Sequence, residues 1–416
     1  MAIFYVDRSI GSDSNSLSQA QSQSTPWRSV AFAVSAVTAP GNVIQVKNGI
    51  YPELVQMTHS GVAGSPITLQ NFPGHNPVLA FPPGNGQNGL LLQASPFPSL
   101  IQYLVIQGLE ITGAELSGVK GYAMDHVVFQ GNYIHDNGLV NGNGLLSEGA
   151  NACTIVGNRI YKNGLFAQFV GDTNVKGHGL YLYGSNWIVS NNLIYFNARY
   201  GIQTSCHPFD ATQMTNTNQA GSLNNLIANN TFAYQDNRAG LTIWDAGGGP
   251  ALMTGNQVLN NLFYENGQGV DNSSSGSGID FTSVTAAIHV SVQNNIGYAT
   301  TPGSTAFILT AWTNGVTYDA LNNCPTNTAN NASCATNPQM VNAPSTIPSS
   351  PDFHLTSGSL ARGFGQNLTG VINNVDFDGV TRPATGPWDV GAFQFVGPAP
   401  SSSPPKLPYI QIVGGF

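Results

Sequence analysis

Charge is scarce in this chain: only 8% of its 416 residues are Asp, Glu, Lys or Arg, and the balance is acidic, with a formal net charge of -8. No basic field of the kind that neutralises phosphates is available, so general nucleic-acid binding is excluded, although a local basic patch could still hold an anionic sugar. Apolar runs stop well short of about 18 residues, which leaves no membrane-spanning helix to expect. The start, "MAIFYVDRS", lacks a charged segment followed by a long apolar one and so does not read as a signal peptide. Cysteine is nearly absent. Of the four present, Cys324 and Cys334 bracket "CPTNTANNASC", the spacing of a small loop-closing disulfide in an oxidising compartment. Cys153 and Cys206 lie on different repeats, and their pairing is not readable.

Glycine, by contrast, numbers 48, and Asn, Ser, Thr and Gln take over the solvation that charges would provide. Such a composition suits an all-β protein better than a helical one. A repeat makes this specific: "GNYIHDNG" at Gly131, "GNRIYKNG" at Gly157, "NNLIYFNA" at Asn191, "NNTFAYQD" at Asn229, "NNLFYENG" at Asn260 and "NNIGYATT" at Asn294. The second residues fall at 132, 158, 192, 230, 261 and 295, with steps between 26 and 38 residues. Short alternating strands repeating at a drifting period mean stacked coils with insertions at the turns. In "NWIVSNNLIYFNARYGIQTS", Ile188, Leu193, Tyr195 and Ile202 can share one interior under a period of two. Asn at one place in every coil predicts a stack of side-chain amides bonded to one another and to turn backbone. Gly179, Gly201, Gly240 and Gly278 open the third strands. The fold class is therefore all-β, a right-handed parallel β-helix, since Asn-Asn pairs and β-branched runs oppose helices.

At the N-terminus, "TPWRSVAFAVSAV" has the apolar spacing of an amphipathic helix that caps the open end, with Val30, Phe32, Ala33 and Val37 on its apolar side. At the other end "DFHLTSGSLARGFG" and "DFDGVTRPATGPWDVGAFQF" break the rhythm and predict an irregular C-terminal cap. Residues 1–396 are expected to form one β-helix domain with its caps, and 397–416 a Pro/Ser-rich tail.

These segments, with "FYVDRSIGSDSN" and "VIQVKNGIYPE" at the start and "HGLYLYG" in the middle, resemble the secreted pectate-lyase-like β-helix proteins over roughly residues 3 to 396. The resemblance implies a secreted or cell-surface, carbohydrate-active protein, and is poor for activity, because related chains include lyases, hydrolases, epimerases and non-catalytic surface proteins.

Outward residues of the third strands would line a long groove suited to a polymer. That face reads Leu146 and Glu148, then His178, Tyr181 and Tyr183, then Tyr200, Gln203 and Ser205, then Thr242 and Trp244, then Asp280 and Thr282. Two insertions, after Ser205 and after Trp244, would wall it and supply His207, Asp210 and Asp245. β-Elimination on a uronic acid needs a group to neutralise the carboxylate, a base for the C5 proton and an acid for the leaving oxygen. Lys176 or Arg199 suits the first task, His178 the second and Tyr181 the third; His178 as a turn-bonding scaffold residue is the competing reading. Tyr183, Tyr200, Gln203, His207, Trp244, Glu148, Asp245 and Asp280 are the candidate substrate-binding residues, the aromatics through their apolar faces.

Hydrolysis is the alternative, through two of Glu148, Asp172, Asp245 and Asp280 at roughly 5 to 9.5 Å, and a non-catalytic glycan-binding module is a third reading. Some of these carboxylates could hold Ca²⁺, which prefers oxygen ligands, although no EF-hand loop or His/Cys metal spacing is present. His126, His135, His289 and His354 are assigned no chemistry. The expected partner is a polysaccharide, and the expected state a monomer.

Overall fold

A computed structural model describes all residues except 83, 85, 139–141, 165–176, 207–221, 237, 246–252, 268–277, 284–287, 301–307, 314–315, 322, 325–333, 335, 346–347 and 398–416. The chain coils into a right-handed parallel β-helix whose strands stack in register from one coil to the next. Three faces enclose the core. The groove face and the back face merge where the 12-residue strand Val119–Gln130 turns a corner: its first residues pair with Leu90–Leu92 and its last with Ile101–Gln107. Among the described residues the third face is a separate nine-stranded parallel sheet. Its inward row Ile111, Ile134, Ile160, Ile194, Phe232 and Phe263 is fully buried. Phe232 and Phe263 stack with centroids 4.7 Å apart. Each such side chain contributes about 1.5–3 kcal/mol by leaving water.

The expected amide stack is present. Asn132, Asn158, Asn192, Asn230, Asn261, Asn295 and Asn323 form one ladder, each Nδ2 donating to the next Oδ1 at 2.9–3.1 Å. A second ladder, not foreseen, runs from Asn137 through Asn163 and Asn197 to Gln235. Left-handed backbone belongs to the residue before each of the first six members of the first ladder: Gly131, Gly157, Asn191, Asn229, Asn260 and Asn294 have φ between 53° and 64°. Glycine or asparagine occupies that place because other side chains meet the backbone there.

The N-terminal helix spans Val30–Ala36 and covers strands Ile3–Val6, Val43–Val46 and Val55–Met57. Val30, Ala33 and Val34 are buried, as is Val37 at the C-cap. Phe32 is not: at 37% exposed it lies at the outer edge, against Trp27. The helix N-terminus is satisfied by Ser29 and by the Glu53 carboxylate, which accepts from the Val30 and Ala31 amides at 3.0 and 2.9 Å.

The C-terminal segment is irregular, as expected, and lies against the outer side of the third face. Phe353, Phe377 and Phe393 pack there with Leu193, Tyr195, Tyr234 and Tyr264. The fully buried Arg382 donates to Asn191 Oδ1 and Gly391 O, both at 2.9 Å. Cys324 and Cys334 are joined. Cys153 is a buried free thiol whose pKa burial pushes up to about 12, and the Cys206 side chain lies outside the described residues.

Candidate functional site

Strands Val119–Gln130, Leu145–Asn151, Leu180–Tyr183, Ile202–Cys206, Leu241–Asp245 and Ile279–Ser283 stack side by side along the groove face. Val119, Leu145, Leu180, Ile202, Leu241 and Ile279 all point inward and are fully buried. The glycine before each inward residue is required by the stack. A Cβ on Gly144, Gly179 or Gly201 would come within 2.6 Å of the carbonyl oxygen of the next glycine along. The outward residues consequently form rows: Lys120, Leu146, Tyr181, Gln203, Thr242 and Asp280 in one, and Tyr183, Ser205 and Trp244 in another, with Tyr122 beside Glu148. Successive members are about 4.8 Å apart.

Aromatic rings gather where the middle coils enter this face. His178 stacks on Tyr200 at 5.6 Å and meets Tyr181 edge-on at 5.2 Å, while Tyr181 and Tyr183 lie 4.7 Å apart. The Tyr183 hydroxyl donates to that of Tyr181. Arg199 sits over the Tyr200 ring, 6.0 Å from its centre. Burial drives the Tyr181 pKa above its ordinary value, against Tyr183, Arg199 and Ser205, which all favour the phenolate. Tyr200 is raised as well, first by burial and then by the Asp280 carboxylate, against Arg238 and Arg199.

His178 has a donor's geometry rather than a base's. The residue is 4% exposed, and burial, then Arg199 and Arg238, hold its pKa well below the ordinary imidazole value. Nδ1 accepts the Tyr200 amide at 3.3 Å, so in the neutral ring the proton sits on Nε2 and no lone pair is left to take another. The histidine backbone is tied as well, its amide donating to Asn143 Oδ1 at 2.9 Å.

The structure thus brings together His178, Tyr181, Tyr183, Arg199, Tyr200 and Asp280. Tyr183, Gln203 and Asp280 are more enclosed than an open groove floor implies, at 7%, 5% and 3% exposed. Trp244 is half-buried. Lys176 and His207 lie outside the described residues, as do Asp172, Asp210 and the Asp245 side chain. Glu148 is ion-paired with Lys120 at 2.8 Å, and four strand spacings, roughly 19 Å, separate it from Asp280. That distance is too long for paired-carboxylate hydrolysis by these two residues. Among the described residues no three His, Cys, Asp or Glu side chains gather as a metal site, so the calcium expectation has no ligand set there.

Two cations were missed. Arg238 stands near His178 and Tyr200, and the signal was available: "RYGIQTS" and "RAGLTIW" share Arg-x-Gly at the strand entrance. Lys120 heads the outward row, and "GVKGY" aligns with "GLLSE" once the opening glycine is used as the marker. The histidines left without chemistry each meet a carboxylate: His126 with Asp125, His135 with Glu110 and Asp136, His289 with Asp319, and His354 with Asp352 and Asp378.

Residues 101–295 match the family described as "Right handed beta helix region". Over 130 residues the chain is 27% identical to the uncharacterized protein YwoF of Bacillus subtilis (strain 168), a match that spans 30% of this chain and 27% of that protein. Pectate lyase Pel9A superposes with a TM-score of 0.55 at 18% identity, over 95% of this chain and 96% of its own. A rhamnogalacturonan lyase superposes with a TM-score of 0.57 at 14% identity, over 86% and 97% respectively. At these identities the likeness is one of fold, a β-helix shared with carbohydrate-active enzymes.

Proposed function

We propose that this protein is an extracellular polysaccharide lyase that cleaves a uronate-containing glycan by β-elimination in the central groove. The observation that carries the reading is Tyr181: it stands on the outward row beside Arg199, and although burial raises its pKa, Tyr183, Arg199 and Ser205 oppose that rise by favouring the phenolate. Arg199 and Arg238, the cations that bear on His178 and Tyr200, face the substrate carboxylate and so make the neighbouring C5–H more acidic. The Tyr181 phenolate takes the C5 proton. The electron pair left on C5 forms the C4–C5 double bond, the C4–O bond breaks, and the departing oxygen takes the proton back from the phenol. His178 contributes its Nε2–H as a donor and, through Nδ1, fixes the Tyr200 backbone. Localisation outside the cell is supported by the disulfide and the low charge.

The test is product chemistry. Incubation with uronate polysaccharides should yield chain ends absorbing in the ultraviolet from the new double bond. Tyr181→Phe should lower turnover by roughly 10²–10⁴-fold with the melting temperature unchanged. New reducing ends without that absorbance, or a fully active Tyr181→Phe, would overturn the proposal.

A further inference from the structure

The groove continues past Tyr181 toward the N-terminal coils, and its character changes there. Lys120 lies two strand spacings, roughly 9.6 Å, from Tyr181 along the same outward row. Its ammonium bonds Glu148 at 2.8 Å and stands 4.6 Å from the centre of the Tyr122 ring. Both members of the ion pair are mostly covered, with side-chain exposures of 15% and 19%. The loop that leaves the groove strand Leu90–Leu92 brings Phe97 edge-on to Tyr122 at 5.7 Å, yet leaves it 41% exposed.

We infer that Phe97, Lys120, Tyr122 and Glu148 form a subsite for a neutral sugar of the same glycan, so that the substrate is a mixed polymer in which uncharged residues neighbour the uronate. This rests on the lyase reading of the central groove. An exposed aromatic ring offers an apolar face to the C–H side of a pyranose. Beside it, the ammonium N–H left after Glu148 and Tyr122, and a carboxylate with lone pairs beyond the one Lys120 uses, match adjacent hydroxyls, one accepting and one donating. The pair sums to zero charge, because the Glu148 carboxylate cancels the attraction that Lys120 alone would hold for a second uronate. Around Tyr181 the cations Arg199 and Arg238 favour the uronate instead. The two halves of the groove therefore select different sugars.

Binding can be read without turnover in the full-length Tyr181→Phe protein, by calorimetry with two probes, a homopolyuronate and a polymer alternating uronate with a neutral sugar. The alternating polymer should bind more tightly. Adding Phe97→Ala should weaken that binding about threefold to tenfold, the worth of one aromatic contact. Adding Glu148→Gln should tighten homopolyuronate binding about fivefold, the effect of removing one unit charge near 4 Å in a wet groove. Tighter binding of the homopolymer by the parent protein, or a ratio unmoved by both substitutions, overturns the subsite. A Phe97-dependent preference without cleavage of either polymer by the wild type keeps the subsite and sinks the lyase; cleavage without preference does the reverse.

Discussion

Asn192→Ala removes one rung from the middle of the first amide ladder. Asn192 is fully buried. Its Oδ1 accepts from the Asn158 backbone amide at 2.8 Å and from Asn158 Nδ2 at 3.0 Å, and its Nδ2 donates to Ile155 O and Asn230 Oδ1, both at 2.9 Å. The losses are unequal. Asn158 Nδ2 keeps Phe129 O and Val156 O, and Asn230 Oδ1 keeps the Asn192 backbone amide. The Asn158 amide hydrogen loses its acceptor in a place water does not reach, which costs about 1–3 kcal/mol. With the weaker bonds lost elsewhere, a total of about 3 kcal/mol is expected, read from urea unfolding followed by circular dichroism. Asn192→Ala/Asn230→Ala should destabilise by about 1 kcal/mol less than the sum of the single changes, because their shared bond is lost only once. A single-variant loss within 0.5 kcal/mol of zero, or strict additivity, would show that the ladder follows from coil packing and contributes little to it.

Burial lowers the His354 pKa, but hydrogen bonds to Asp352 and Asp378 outweigh it and raise the group to about 9. The unfolded imidazole titrates near 6.5, so this contribution is fully present below that pH and is lost as pH rises through about 9. His354→Gln should therefore flatten part of the alkaline fall in melting temperature between pH 7 and pH 9; an unchanged slope would refute it. His135, raised to about 9 by Asp136 and Glu110 against burial, should retain the remainder. Reduction of Cys324–Cys334, whose sequence separation is 10, should cost about 2.7 kcal/mol if loop entropy dominates, and reductant should leave the Cys324→Ser/Cys334→Ser protein unmoved.

The fold was legible because its signals repeat. A rung at Asn158 or Asn230 is ambiguous alone, but six copies in one place leave only a stack, and the opening glycine sets the register of the whole groove face. The candidate site was legible to the extent that it follows this register, which is why Tyr181, Gln203, Thr242 and Asp280 share a row as expected. What failed depended on contacts distant in sequence. That His178 Nδ1 is occupied could not be read from "KGHGLYLYG", because its partner is the Tyr200 backbone one coil later. Lys120 lies one coil before the first one aligned, and Phe32 sits within an amphipathic pattern whose edge only the packed strands define.

One signal was present and unused: the repeat changes from Gly-Asn to Asn-Asn. In the coils that begin at Gly131 and Gly157 the left-handed position is glycine, and from Asn191 onward it is asparagine, with the same φ. The ladder does not require the change, since the second residue alone makes the rungs. The first asparagine instead faces the C-terminal segment: Asn191 accepts from Arg382, Asn229 donates to Asp389 O and Gly391 O, Asn260 exchanges two bonds with the Gln366 backbone, and Asn294 donates to Phe364 O. Gly-Asn thus marks a coil whose turn lacks this attachment, and Asn-Asn one that holds the segment. Asn229→Gly separates the two roles, because glycine tolerates the 53° φ and Asn230 keeps its rungs. Two bonds to the segment and the one that Asn229 Oδ1 accepts from Asn260 Nδ2 are lost, an expected loss of about 1–3 kcal/mol. Limited proteolysis should then cut residues near 389–391 faster, while the circular dichroism of the coil is retained. Unchanged cleavage would mean that the aromatic packing of Phe353, Phe377 and Phe393 holds the segment without the asparagines.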